Sequence, residues 1–200
     1  MMKHYYQTIG ENWFTYPQLY SAVVKYFPDN SIFAEIGSWR GRSSVYMGVE
    51  IINQGKEHMM VCIDTWKGSE ENQGHSLLKE EDGLYKDFLK NIDPVNEERP
   101  GTLEDWRTTS QEAAELIYNN GSLDFVFIDA SHDYENVIAD IRAWYPKVKE
   151  GGVIAGHDYP DWPGVKKAVD EYFGKRDIVS KYKCWIHQVG GKRDFYKLLK

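Results

Sequence analysis

An apolar run, Phe33-Ala34-Glu35-Ile36, ends in Gly37-Ser38-Trp39-Arg40-Gly41 and passes into a helical stretch that opens near Ser43. Gly37 lets the backbone turn sharply and lets a ligand approach it closely, because no Cβ intervenes. The helix after the turn offers unpaired N–H groups and the positive end of its dipole to a polar or anionic ligand. This is not the three-glycine dinucleotide fingerprint: the glycines stand four apart and Glu35 sits inside the turn. The stretch predicts a nucleotide-type site at the C-terminal edge of a first strand.

The strand-then-helix unit recurs along the chain. Helical periodicity covers Tyr16 to Tyr26 and stops before Pro28; Ser31 to Ile36 is strand-like and Ser43 to Asn53 helical. Met59 to Ile63 reads as a second strand ending in Asp64, Leu103 to Arg107 as a third, and Leu123 to Ile128 as a fourth. Val153 to Ala155 is the fifth, after Gly151-Gly152. Helices are expected over Lys79 to Asn91, from a cap at Ser110 to about Asn119, over Asn136 to Val148 and over Gly164 to Phe173. The end reads as a hairpin of Cys184–Val189 with Phe195–Leu199 across Gly190-Gly191-Lys192. Strands that alternate with helices imply an α/β domain whose parallel sheet is covered on both faces. The chain is expected to be a single domain over residues 1–200. Residues 1–30 are read as an N-terminal helical cover, and the polar stretch 67–100 as a lid inserted over the ligand-binding edge.

A net charge of −7 argues against a broad nucleic-acid surface. No apolar run approaches membrane-spanning length, and Met1-Met2-Lys3-His4 does not open a signal peptide. Cys62 and Cys184, the two cysteines, lie in apolar contexts, which points to reduced thiols and a cytoplasmic location. Tyr5, Tyr6 and Trp13 are read either as a contact of a homo-oligomer or as a flap.

In an open α/β sheet, ligands sit outside the carboxyl ends of the strands. Here each strand ends in a residue suited to that place. Asp64, 27 positions after Gly37, can take both hydroxyls of a ribose. Strand four runs into Asp129-Ala130-Ser131-His132-Asp133-Tyr134, and strand five into Gly156-His157-Asp158-Tyr159. Tips of neighbouring strands lie about 5 Å apart, and two carboxylates that close repel unless a proton or cation sits between them. A hard divalent cation, Mg²⁺ by default, resolves the repulsion at Asp129 and Asp158. His132 or His157 could remove a hydroxyl proton there, or either could hold a loop carbonyl instead.

The ordered set Glu35-Ile-Gly-Ser-Trp-Arg-Gly-Arg-Ser-Ser44, Cys62-Ile-Asp-Thr-Trp66, Phe127-Ile-Asp-Ala-Ser-His-Asp-Tyr134, Asp140-Ile-Arg-Ala-Trp144 and Gly151-Gly-Val-Ile-Ala-Gly-His-Asp158 resembles the class I S-adenosylmethionine-dependent methyltransferases. Within them it is most similar to the metal-dependent O-methyltransferases of the macrocin and mycinamicin sugar type, and more distantly to the catechol type. The resemblance implies a Rossmann-like, doubly wound, mostly parallel seven-stranded sheet with a C-terminal antiparallel hairpin. It implies S-adenosylmethionine as methyl donor, Mg²⁺ or another divalent cation, and a small hydroxylated, sugar-like acceptor. By position, Glu35, Gly37, Ser38 and Ser43 would hold the amino-acid end of the donor and Asp64 its ribose. Trp66 would lie on the adenine or else anchor the lid, and Ser110 and Gln111 would meet the adenine edge, Ser110 also serving as a helix cap. Asp129 and Asp158 would bind the metal, with Asp129 also near the donor and His132 as general base. Catechol-type enzymes carry an Asn after the second metal aspartate where this chain has Tyr159, so the third ligand is left to Asp133, Asp161 or water. Three other readings stay open: a metal-independent methyltransferase, a non-catalytic module that binds the donor and, from the strand–helix alternation alone, an NAD-dependent oxidoreductase.

Overall fold

The computed structural model describes residues 1–68, 74–116, 119–191 and 193–199. Its seven strands are β1 (Ile32–Ile36), β2 (Met59–Asp64), β3 (Leu103–Arg107), β4 (Leu123–Ile128), β5 (Val148–Gly156), β6 (Val179–Lys181) and β7 (Cys184–Gln188). They form one sheet in the order β3-β2-β1-β4-β5-β7-β6. The first five run parallel; β7 is antiparallel to β5 and to β6. The helices are α1 (Pro17–Tyr26), α2 (Arg42–Asn53), α3 (Gly83–Glu98), α4 (Ser110–Leu116), α5 (Tyr134–Trp144) and α6 (Pro163–Phe173).

The two-residue period of a strand sorts side chains into two cores. Phe33, Met60, Cys62, Phe125 and Phe127 point to a layer that contains α1, α2 and α3. Ala34, Ile36, Val61, Ile63, Val126 and Ile128 point to the opposite layer, with α4, α5 and α6. Because β1, β2 and β4 are buried on both faces, they read in sequence as mostly apolar runs, interrupted by Glu35 in β1 and Asp124 in β4 and closed by Asp64 in β2.

The terminal hairpin differs from the expected one. Its strands are β6 and β7, joined through Tyr182 and Lys183 at φ 57° and 63°, the conformation of a tight hairpin turn. Neither residue is one that favours positive φ, so the turn left no mark in the sequence. Phe195–Leu199 is a short 3₁₀ helix instead. The Phe195 N–H donates to Gln188 Oε1, and the Phe195 ring packs against Tyr26 of α1. Lys192 lies outside the described residues, as do 117–118 in the expected helix end and 69–73 in the expected lid.

The α4 cap also lies one residue earlier than expected. Thr109 Oγ1 accepts from the Glu112 N–H and the Glu112 carboxylate accepts from the Thr109 N–H, a capping box. In the 67–100 stretch, α3 is a crossover helix that buries Leu84, Phe88, Ile92 and Val95 in the core. The N-terminal cover is helical only at Tyr6–Thr8 and in α1.

Candidate functional site

Strand order reverses at β1, which pairs with β2 on one side and β4 on the other. The chain ends of β1 and β4 therefore diverge and leave a cleft between them, where ligands sit in this architecture. Two bonds close the cleft floor: Gly37 N–H to Ile63 O at 2.8 Å and Asp129 N–H to Ile36 O at 2.8 Å. Gly37 takes φ +90°, and a Cβ there would lie 2.1 Å from the Asp129 carbonyl oxygen. The turn must be glycine, and it places the first loop in contact with the end of β4. Above it opens a cavity of about 710 Å³.

Of the residues expected to bind the donor, Gly37, Ser38, Ser43, Asp64, Ser110 and Asp129 line this cavity. Asp64 accepts from the Trp39 N–H at 2.9 Å on one oxygen and from the Trp66 N–H at 2.8 Å on the other. The Thr65 and Ser38 N–H groups also point to this carboxylate. Burial raises the Asp64 pKa, against the pull of these N–H groups. Ser38 Oγ is buried and makes no hydrogen bond among the described residues, as an atom awaiting a polar ligand would be.

Glu35, Trp66 and Gln111 do not line the cavity. Glu35 shares the face of Phe33 and Phe127, so its side chain runs under α1 and α2 and is wholly buried. Its carboxylate accepts from Tyr20 Oη at 2.8 Å and from Ser44 Oγ. Burial raises its pKa, and the Ser44, Ser43 and Tyr20 hydroxyls oppose the rise. Glu35 thus lies beneath the loop, bonded to α1 and α2 and away from the cavity. Trp66 is 2% exposed, donates Nε1–H to Trp39 O at 2.7 Å, and packs on Tyr85 and Phe88. It is a core residue that does not line the cavity, in keeping with the lid-anchoring alternative. Gln111 donates to Asp140 Oδ1 at 2.8 Å, under α5. Burial lifts the Asp140 pKa to about 6, although Ser110 and Gln111 hold it down.

On the opposite wall, β4 and β5 bring Asp129, His132, His157 and Asp158 together. His157 Nδ1 lies 3.2 Å from Asp158 Oδ1 and 3.6 Å from Asp129 Oδ1. Donor atoms of Asp129, His157 and Asp158 all fall within 4.8 Å of one another. His132 Nε2 is 2.8 Å from Asp158 Oδ2, and its ring stacks on Trp162 with centroids 4.1 Å apart. Burial pushes the His157 pKa down, but Asp129 and Asp158 outweigh it and bring it up to about 10. Burial likewise raises Asp158, and His132 and His157 more than reverse it, leaving it well below the usual carboxylate range. Beside the two aspartates, the third group in this cluster is His157. Asp133 instead caps α5, accepting from the Asn136 N–H at 2.9 Å, with Ser131 Oγ and Asn136 drawing its pKa to about 2. Asp161 pairs with Lys183 at 2.6 Å.

Sequence reasoning missed the contribution of residues 11–16, which form a wall of the cavity. Arg42 pins this segment by donating to the carbonyls of Ile9, Gly10 and Glu11 and to Asn12 Oδ1. Glu11 in turn accepts from Trp39 Nε1 at 3.2 Å and lies 2.9 Å from His75 Nε2. Tyr16 donates its hydroxyl to Asp129 Oδ2 at 2.8 Å across 113 positions of sequence. A lone tyrosine ahead of a proline carries no local signal of such a contact.

A methyltransferase-domain family matches residues 34–159, from the middle of β1 to the end of the β5 motif. The chain belongs to that family. Among solved structures, it is similar to the O-methyltransferase NovP, at TM-score 0.62 and 19% identity over 87% of this chain and 77% of that one. It is also similar to a TDP-rhamnose 3′-O-methyltransferase of calicheamicin biosynthesis, at TM-score 0.58 and 20% identity over 85% and 75% of the two chains. The O-methyltransferase TomG from Streptomyces achromogenes, solved with S-adenosylmethionine, matches at TM-score 0.57 and 13% identity over 87% and 79%. An uncharacterised protein of Acanthamoeba polyphaga mimivirus is 27% identical over 150 residues, 72% of this chain; the match spans 59% of that relative's length. Fold and family together make this an S-adenosylmethionine-dependent methyltransferase domain of class I architecture. Among the described residues no helix is long and apolar enough to cross a membrane.

Proposed function

We propose that the domain methylates a hydroxyl of a small, sugar-like acceptor with the assistance of a divalent cation. The observation that carries this reading is the convergence of Asp129, His157 and Asp158 on one point beside His132, in the same cavity as the Gly37 loop. Their donors, two carboxylates and an imidazole, fit a divalent cation. The bare Ser38 hydroxyl, the cradle at Gly37 and the Asp64 carboxylate fit the donor. When bound, S-adenosylmethionine supplies an electrophilic methyl group and the cation supplies Lewis acidity that makes a nearby hydroxyl more acidic.

The residues of the chain do the rest. Gly37, Ser38 and Ser43 hold the amino-acid end of the donor and Asp64 the ribose, while buried Glu35 keeps the loop in shape. This fixes one reactant, and residues 11–16 with Trp162 shape the space for the other, so that much of the barrier is met by alignment. His132, held on Asp158 through Nε2 and against Trp162 by stacking, takes the hydroxyl proton.

A metal-independent methyltransferase is a second reading, favoured by one observation: protonated His157 already compensates the charges of Asp129 and Asp158. Release of S-adenosylhomocysteine, followed with TDP-rhamnose and catechol as probe acceptors, separates the two. The proposed function predicts turnover that a chelator abolishes and Mn²⁺ or Mg²⁺ restores. Turnover indifferent to the chelator would leave the metal-independent reading.

A further inference from the structure

Thr15 Oγ1 stands between two partners: it donates to the Tyr182 carbonyl at 3.2 Å and lies 2.9 Å from His157 Nε2. A hydroxyl has one proton, and a carbonyl can only accept. With that proton spent on Tyr182, Oγ1 must accept from the imidazole, so Nε2 carries hydrogen. The lone pair of the neutral ring is then at Nδ1, the atom that faces Asp129 Oδ1 and Asp158 Oδ1. The carboxylates are held in the same manner. Tyr16 Oη engages Asp129 Oδ2, and His132 Nε2 engages Asp158 Oδ2, which leaves the two Oδ1 atoms to face Nδ1. Each of the three inward atoms thus has its outward counterpart fixed by a neighbour, the pattern that orients metal ligands.

We propose that His157 Nδ1 is itself a cation ligand, completing a site of one nitrogen and two oxygens with Asp129 and Asp158, and that Thr15 and Tyr16 are its positioning residues. This rests on the reading that a divalent cation binds here, and it changes which cation. Mg²⁺ is served by oxygen, whereas an imidazole donor suits transition metals, so the site takes Mn²⁺ or a neighbour of the first row ahead of Mg²⁺.

The test is pulsed electron paramagnetic resonance of the chain loaded with Mn²⁺, in unlabelled protein and in protein labelled with ¹⁵N-histidine. The expected result is a nitrogen modulation in the echo that changes with the label, is lost in His157→Leu and survives in His132→Asn. Calorimetry should show Mn²⁺ bound at least about tenfold more tightly than Mg²⁺, with Thr15→Val and Tyr16→Phe each weakening Mn²⁺ by about tenfold or more. Thr15 is exposed, so its valine variant keeps the fold, and the labelled wild-type protein needs no variant at all. Mn²⁺ bound without nitrogen modulation, or with one that depends on His132, would overturn the assignment and leave the cation reading intact. No binding of Mn²⁺ would overturn both.

Discussion

Replacing Gly37 with alanine tests whether the donor loop and the end of β4 are one mechanical unit. The new Cβ would meet Asp129 O at 2.1 Å, Asp129 C at 2.6 Å and Ala130 Cα at 2.8 Å. All three atoms belong to the main chain, so no rotamer change relieves the clash. Holding an L-residue at φ +90° costs about 1–2 kcal/mol, and forcing a methyl group into packed main chain about 1–3 more. The sum is about 2–5 kcal/mol, equivalent to a fall in Tm of about 4–20 °C for a chain of this size. Gly55→Ala is the internal control: it has φ +68° but nothing within 4 Å of its Cβ, so only the backbone cost applies. Thermal unfolding of both variants, with calorimetric titration of S-adenosylhomocysteine, reads the difference. Gly37→Ala should be the less stable by several degrees and should bind at least about tenfold more weakly. Equal stability of the two variants with unchanged binding would refute the coupling.

Three further outcomes are expected. Asp129→Ala should abolish turnover while leaving the S-adenosylhomocysteine Kd within a few-fold, because the main-chain contacts at Gly37 survive; turnover retained would remove Asp129 from the chemistry. Trp66→Phe should cost about 1–3 kcal/mol on urea unfolding and leave that Kd within twofold, as befits a core residue; lost affinity at unchanged stability would return the indole to the adenine. The third outcome concerns pH. His157 titrates near 10 in the folded chain against about 6.5 when unfolded. Its ion pairs therefore stabilise fully below about pH 6.5 and fade as pH rises towards 10. With chelator present, the stability gap between wild type and His157→Gln should narrow from pH 7 to pH 10. A gap that stays constant would show that the imidazolium does not hold the two aspartates.

The order of elements and the strand-end chemistry were legible because both rest on local patterns. Apolar runs buried on two faces mark β1, β2 and β4, and acids at their ends mark the ligand edge. The sequence was silent where one contact depends on distant packing. The family resemblance gives Glu35 to the donor, while strand alternation turns it under α1 and α2, where Tyr20 and Ser44 meet it. Trp66 and Gln111 likewise sit beside the right motifs but point to Phe88 and Asp140. The hairpin was misplaced because Tyr182-Lys183 adopts positive φ without the residues that usually announce it. Thr15 and Tyr16 escaped notice because their partners lie 142 and 113 positions away.

The central claim is that one cavity holds a methyl donor on the Gly37 loop and a cation between β4 and β5. A crystal structure of the chain with S-adenosylhomocysteine and Mn²⁺, phased to show anomalous density at the manganese edge, tests it directly. The account predicts the amino-acid end of the ligand at Gly37 and Ser38, its ribose on Asp64, and one anomalous peak among Asp129, His157 and Asp158. Ligand density elsewhere, or manganese away from those three side chains, would contradict it.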